Sequence, residues 1–80
     1  MDKTALISKI NEVLANEFEI EVSNIQADGN IKKTLELDSL SLVDMVALIE
    51  EKFGVKIQVS DLSKLNTFNE LYDYIAQNMP

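Results

Sequence analysis

The sequence predicts an all-α fold, a small bundle of three main helices plus one short helix. Apolar residues recur at helical spacing over residues 3–18 and again over residues 39–53. A third apolar segment near the end opens with a capping box, Thr67-Phe68-Asn69-Glu70. The one alternating stretch, residues 55–59, is too short and too isolated to form a sheet. With 80 residues, we expect residues 1–80 to form a single small domain.

The first helix is expected over residues 3–18, where polar side chains such as Lys9, Asn11 and Glu12 lie opposite the apolar face. The apolar positions that predict it are Leu6, Ile7, Ile10, Val13, Leu14 and Phe18.

The pattern breaks between Glu19 and Leu37, where the turn-forming residues Ser23, Asn24, Asp28, Gly29 and Asn30 occur and no period lasts two turns. We therefore predict a long loop, anchored by apolar side chains. Asp28-Gly29-Asn30 resembles a fragment of a calcium loop, but the regular flanking carboxylates are missing, so a turn and no metal site is expected. The expected anchors are Val22, Ile25, Ile31 and Leu35.

The second main helix is predicted to begin after Asp38 and to run to Phe53. The carboxylate of Asp38 can accept hydrogen bonds from the first amides, and Gly54 supplies the left-handed residue that commonly ends a helix. The expected core-facing stripe is Leu42, Val46, Ile49 and Phe53, with Met45 at its edge.

The remainder is predicted to be an extended connector over residues 55–59, one short helical turn over residues 60–65 started by Ser60 or Asp61, and a final helix. Tyr72 and Tyr74 are expected to be core and rim residues of that helix. Its apolar positions are Leu71, Tyr72, Ile75 and Ala76.

The formal charge of −7 excludes most partners that are themselves polyanions. Nucleic acid and anionic membrane surfaces would repel the chain, so basic patches on other proteins are the expected counterparts. No window of about 18 apolar residues occurs, which argues against stable membrane insertion. Without cysteine the chain has no disulfide and no thiolate metal site. We expect a cytoplasmic monomer.

Ser39 is the most informative residue for function. A serine nucleophile needs a base, and the chain contains no histidine. A hydrolase would have to use Asp38, Asp44 or a lysine as the base. Ser39 is therefore interpreted as a residue to which a group is attached. The alternative is that Ser39 only caps the helix, a role that Ser41 could fill as well.

A second apolar set lies on the predicted second helix beside the core stripe. Leu40, Val43 and Ala47 are spaced i, i+3, i+7. A short apolar strip edged by carboxylates is typical of a docking surface for a basic partner. Alternatively, Leu40 and Val43 only widen the buried face. The neighbouring carboxylates are those of Asp44, Glu50 and Glu51.

The segment from Leu35 to Asp44, with its Asp38-Ser39-Leu40 motif, resembles the attachment segment of acyl carrier proteins and peptidyl carrier domains. The resemblance covers nearly the whole chain, including the long loop before the motif. It implies a non-catalytic carrier in which Ser39 bears a 4′-phosphopantetheine arm donated by coenzyme A, whose thiol holds acyl or aminoacyl groups as thioesters. It also implies two kinds of partner: a phosphopantetheinyl transferase, and loading and processing enzymes with basic docking patches. By the same resemblance, the docking residues are Leu40, Val43, Asp44, Ala47, Glu50 and Glu51.

The chain also departs from the family pattern. Carriers of general fatty acid synthesis have Gly and a small residue before Asp-Ser-Leu, whereas this chain has Glu36 and Leu37. Lys32 and Lys33 stand where acidic residues are common. These departures indicate a specialised lipid, polyketide or peptide pathway. The alternative function is an unmodified helical interaction module with an acidic docking helix.

Overall fold

The computed structural model describes residues 2–79, and in this range five α-helices and one 3₁₀ turn carry the chain. No strand is present in that range, and a single antiparallel bridge joins Asn30 to Thr67. The all-α prediction is confirmed. The helices are α1 (Lys3–Phe18), α2 (Ile31–Leu35), α3 (Ser39–Phe53), α4 (Val59–Leu62) and α5 (Phe68–Asn78), and the 3₁₀ turn is Val22–Asn24.

The helices α1 and α3 begin and end where the sequence predicts, and α5 begins at the predicted capping box. In α1, the carboxylate of Asp2 accepts from the amide of Ala5 at 2.9 Å. In α5, Thr67 Oγ1 accepts from the Glu70 amide at 3.3 Å, and Glu70 Oε1 accepts from the Thr67 amide at 2.9 Å. This reciprocal pair is the predicted capping box.

One hydrophobic core joins all five helices. Its largest side chain is Tyr72, which is 2% exposed and whose hydroxyl donates to Asn11 Oδ1. Tyr74 lies half-buried at the rim, so both tyrosines are where they were expected, while Ala76 is exposed. Other side chains at the centre of the core are Ile10, Leu14, Ile31, Met45, Ile49, Phe68, Leu71 and Ile75.

The predicted core stripe of α3 is partly wrong. Met45, expected at the edge, is 1% exposed and forms the buried line of the helix with Ile49 and Phe53. Leu42 and Val46 are only half-buried and flank that line. The buried residues follow i, i+4, i+8, which is the ridge that neighbouring helices contact in ridge-into-groove packing.

The prediction of one long loop between residues 19 and 37 is also wrong, because the segment contains the 3₁₀ turn and α2. The side chain of Asn30 caps α2 by accepting from the Lys33 amide at 2.8 Å. With five residues α2 is too short to show a helical period. Among the expected anchors Ile25, Ile31 and Leu35 are buried, but Val22 is 49% exposed.

Backbone hydrogen bonds fasten the segment before α2 to the start of α5. The amide of Ile31 donates to the Asn66 carbonyl at 2.9 Å. In the opposite direction, the amides of Phe68 and Asn69 donate to the carbonyls of Gly29 and Ala27, at 3.2 and 2.8 Å. We call this set of contacts the clasp. The segment is held by backbone pairing with a distant part of the chain.

The short helix α4 begins one residue earlier than predicted, after Gln58, and neither Ser60 nor Asp61 caps it. The carboxylate of Asp61 is instead engaged by Tyr74, whose hydroxyl donates to Asp61 Oδ2 at 2.9 Å. This contact ties α4 to α5. None of the helices within residues 2–79 combines the length and apolar character needed to cross a membrane.

Candidate functional site

Ser39 is the first residue of α3, directly after the capping residue Asp38. The carboxylate of Asp38 accepts from the Ser41 amide at 2.8 Å, and the Asp38 carbonyl accepts from the Leu42 amide at 2.9 Å. The cap of α3 is therefore Asp38, and the interpretation of Ser39 or Ser41 as the cap is wrong.

The hydroxyl of Ser39 is exposed, and within residues 2–79 it takes part in no side-chain hydrogen bond. A hydroxyl oxygen in this position is open to an incoming enzyme, and its modification breaks no side-chain hydrogen bond recorded within residues 2–79. The site therefore fits a covalently attached group.

The start of α3 is an electrostatically favourable place for a negatively charged substituent. The first amides of a helix lack partners within the helix, and the helix dipole is positive at this end. The hydrogen bond from the Ser41 amide lowers the pKa of Asp38, as expected where the start of a helix favours a negative charge. A phosphodiester on Ser39 Oγ would lie in the same field.

Among residues 2–79, no side-chain hydrogen bond joins the Ser39 hydroxyl to a group that could act as a base. The chain contains no histidine, and the neighbouring carboxylate of Asp38 is held by the Ser41 amide. The lowered pKa of Asp38 also makes it a weaker base. The arrangement supports attachment and gives no support to a hydrolase.

The predicted docking residues form the exposed face of α3, opposite the buried line through Met45, Ile49 and Phe53. Leu40 is 78% exposed and Val43 is 64% exposed, so these side chains do not widen the buried face. The structure thus brings the apolar strip and its carboxylates together on one surface that begins beside Ser39. Ala47, Asp44, Glu50 and Glu51 are exposed as well.

A shallow groove of about 340 Å³ lies elsewhere, between α1 and the second half of α3. The residues that line it include Val13, Leu48, Lys9 and Lys52. Leu48 is nine residues beyond Ser39, roughly 13 Å along the helix, so the groove is separate from the site. In the part of the chain that the structure describes, no group of three or more acidic side chains could hold a metal ion.

The structure also places α2 beside the site, which the sequence alone did not indicate. The amide of Leu37 donates to the Lys32 carbonyl at 2.9 Å and folds the chain back after α2. Because Leu37 is two residues from Ser39, the backbone of Ser39 lies at most roughly 12 Å from that carbonyl. Lys32 and Lys33 are both exposed. The signal that could have revealed α2 is Asn30, three residues before the amide it caps.

Comparison with known proteins agrees with this geometry. The sequence model of the family described as "Phosphopantetheine attachment site" matches residues 8–75. An acyl carrier protein from Rubrobacter xylanophilus is 31% identical over 78 residues, which are 98% of this chain and 96% of that protein. An acyl carrier protein from Syntrophobacter fumaroxidans is 33% identical, with the same shares of both chains covered.

A solved structure of acyl carrier protein from Enterococcus faecalis, described for its high thermal stability, has the same fold. It superimposes with a TM-score of 0.78 at 32% identity and covers 98% of this chain and 99% of that one. Three observations lead to one conclusion. The family model matches most of the chain, the relatives are nearly equal in length, and an exposed serine stands at the start of α3. The chain belongs to the acyl carrier protein family, whose prosthetic group is 4′-phosphopantetheine.

Proposed function

We propose that Ser39 carries the 4′-phosphopantetheine arm and that the protein holds acyl or aminoacyl intermediates on it as thioesters. The observation that supports the site is the exposed Ser39 hydroxyl at the first position of α3, preceded by the Asp38 cap. When bound, the arm supplies a terminal thiol for thioester formation. Catalysis would belong to the partner enzymes, since among residues 2–79 no base is hydrogen-bonded to the Ser39 hydroxyl and the carboxylate of Asp38 is held by the Ser41 amide.

Each residue of the motif has a separate part in this proposal. Ser39 Oγ provides the oxygen of the phosphodiester. Asp38 holds the start of α3 through the Ser41 amide and so keeps the Ser39 hydroxyl facing outward. Leu40, at 78% exposure, is the first apolar contact for a partner that approaches Ser39.

The exposed face of α3 is proposed as the docking surface for a phosphopantetheinyl transferase and for the loading and processing enzymes. Leu40, Val43 and Ala47 would supply apolar contact, while Asp44, Glu50 and Glu51 would attract basic side chains. Each exposed ion pair contributes about 0 to 1 kcal/mol, so docking depends on several pairs together.

Residues 1–80 are proposed to act as one carrier domain and as a monomer, in a specialised lipid, polyketide or peptide pathway. The pathway proposal is supported by Glu36 and Leu37 in place of the Gly and small residue of general fatty acid carriers. The exposed pair Lys32 and Lys33 near the site supports it as well.

Intact mass measurement tests the attachment site directly. Incubation with coenzyme A and a broad-specificity phosphopantetheinyl transferase should add one phosphopantetheine to the native chain and none to Ser39→Ala. Ser41→Ala is the matched control and should be modified normally. The fold of Ser39→Ala, followed by circular dichroism, should be unchanged, because its hydroxyl makes no side-chain hydrogen bond in the described range.

Absence of the mass gain with several transferases, in folded protein, would favour the unmodified interaction module.

The modified protein also tests the pathway. A malonyl transacylase of general fatty acid synthesis should load it more slowly than it loads a carrier with Gly before the motif. Equal rates would contradict the specialised role.

A further inference from the structure

The charge on the surface around Ser39 is divided between two helices. The exposed face of α3 carries Asp44, Glu50 and Glu51, whereas α2 carries Lys32 and Lys33 and no acidic residue. The chain has seven positive charges in total, against a net charge of −7, so two of its few cations stand together on a helix of five residues.

These two lysines are free to meet a partner. Both are exposed, and the single ion pair within 4.0 Å that the structure records between residues 2 and 79 joins Lys3 to Asp73 instead. A charge without an intramolecular counter-ion keeps its full effect on an approaching surface.

The backbone of α2 lies close to Ser39. The hydrogen bond from the Leu37 amide to the Lys32 carbonyl limits the distance between that carbonyl and the Ser39 backbone to roughly 12 Å. That bound applies to the backbone atoms, and it is comparable with the Debye length of about 10 Å at 0.1 M salt. An enzyme that contacts Ser39 and Leu40 therefore also meets the field of α2.

We propose that Lys32 and Lys33 form a specificity element that selects partner enzymes with carboxylates opposite α2 and basic side chains opposite α3. A partner with a uniformly basic docking face gains attraction along α3 but is repelled at α2. A partner with carboxylates opposite α2 and basic side chains opposite α3 is attracted at both helices. Like-charge juxtaposition against the wrong partner is a common source of specificity. The inference rests on the proposed carrier function, since it assumes that enzymes dock at Ser39.

The competing explanation is structural. Lys32 and Lys33 lie in the last turn of α2, where positive side chains favour the helix dipole. That role would change the stability of the fold and would not depend on the partner's charges. The test therefore measures the same set of carriers with two partner enzymes that differ in the charge facing α2.

The decisive experiment measures kcat/KM for phosphopantetheine transfer at low salt with two transferases. The first is a broad-specificity transferase with a basic docking face. The second is its variant in which two basic residues that face α2 in the docked complex are changed to Glu. The carriers are the native chain, Lys32→Glu/Lys33→Glu, the charge-conserving Lys32→Arg/Lys33→Arg, and Lys56→Glu/Lys64→Glu. The last changes the net charge equally at two exposed lysines outside α2 and α3.

With the basic transferase, Lys32→Glu/Lys33→Glu should raise kcat/KM about three- to tenfold, mainly by lowering KM. With the charge-changed transferase the order should reverse, and the native chain should be preferred. The arginine variant should behave as the native chain does. The Lys56→Glu/Lys64→Glu control should change less than about twofold with either transferase. At 0.5 M salt the differences should shrink strongly.

The inference is overturned if Lys32→Glu/Lys33→Glu shows the same change as the Lys56→Glu/Lys64→Glu control, or if its effect has the same sign with both transferases. Either result leaves the carrier function intact, because transfer to Ser39 is still observed. Absence of transfer to every carrier, the native chain included, contradicts the proposed function and the inference together.

Discussion

Glu36 adopts a left-handed backbone conformation, with φ of 53°, two residues before Asp38. In this conformation Cβ crowds the following carbonyl oxygen, which costs about 1 to 2 kcal/mol for residues other than glycine. The position corresponds to the Gly of general fatty acid carriers, so the structure explains why glycine suits it. The same geometry recurs at Glu19 after α1, with φ of 55°.

Replacement of Glu36 by Gly is expected to increase the free energy of unfolding. The relief of strain exceeds the entropy that glycine loses on folding, and we expect a net gain of about 0.5 to 1 kcal/mol. Urea unfolding of Glu36→Gly measures it. Glu36→Ala removes the same charge but keeps Cβ, so it should show no such gain. Equal stability of the glycine and alanine variants would contradict a backbone origin.

Among the elements, α3 connects folding to the proposed function most directly, because its cap Asp38 is adjacent to Ser39, the serine proposed for modification. The amide of Ser41 lowers the pKa of Asp38, and the amides of Thr67 and Asn66 lower the pKa of Glu70 at the start of α5. Both carboxylates therefore stabilise the folded state in their ionised form. Each of the helices α3 and α5 therefore has, at its start, a carboxylate that accepts hydrogen bonds from backbone amides.

These lowered pKa values determine the sign of the pH dependence. Each carboxylate contributes stability above its unfolded pKa, near 4, and loses that contribution as pH falls through its lower folded pKa. When pH is lowered from 6 to 2.5, the native chain should therefore lose more stability than Asp38→Asn does. Thermal unfolding of both proteins measures this loss. Asparagine caps equally well but does not titrate.

The quantity to compare is the loss of stability in the native chain minus the loss in Asp38→Asn. The difference is needed because acidification also reduces the repulsion that accompanies a charge of −7. Glu12→Gln, on the surface of α1, is the control and should follow the native chain. If Asp38→Asn loses as much stability as the native chain does, the cap does not contribute through its charge.

At the scale of the whole molecule, the clasp holds the long segment before Ser39 against the start of α5. It joins residues 27–31 to residues 66–69 through backbone hydrogen bonds at 2.8 to 3.2 Å. Gly29 sits at a close approach within it, where an added Cβ would lie 3.1 Å from the Gln26 carbonyl. Because α2 follows directly, the clasp also fixes where α2 begins, and the Lys32 carbonyl lies at most roughly 12 Å from the Ser39 backbone.

Hydrogen exchange should reveal the clasp. The amides of Ile31, Phe68 and Asn69 should exchange slowly and with similar opening free energies, because they open as one unit. The amides of Glu21 and Lys56 have no protein acceptor between residues 2 and 79 and should exchange fast. Fast exchange at Ile31 together with slow exchange at Asn69 would show that the clasp is not cooperative.

The sequence by itself determined the features that depend on neighbours along the chain. Helical periods and local caps predicted α1, α3 and α5, and the caps at Asp38, Gly54 and Thr67 are confirmed. The Asp38-Ser39-Leu40 motif, together with the match along the chain, predicted the family, which the comparisons confirm. The role of Ser39 and of the docking residues stays a prediction until the mass and kinetic measurements are made.

Tertiary structure decided the features that depend on distant contacts. Met45 became part of the buried line because the packing of neighbouring helices selects one ridge among several apolar ones. Asp61 became a partner of Tyr74 because α5 brings that hydroxyl to it, and α2 is held in place by pairing with residues 66–69. A local pattern cannot specify which distant group will arrive, so these features required the folded molecule.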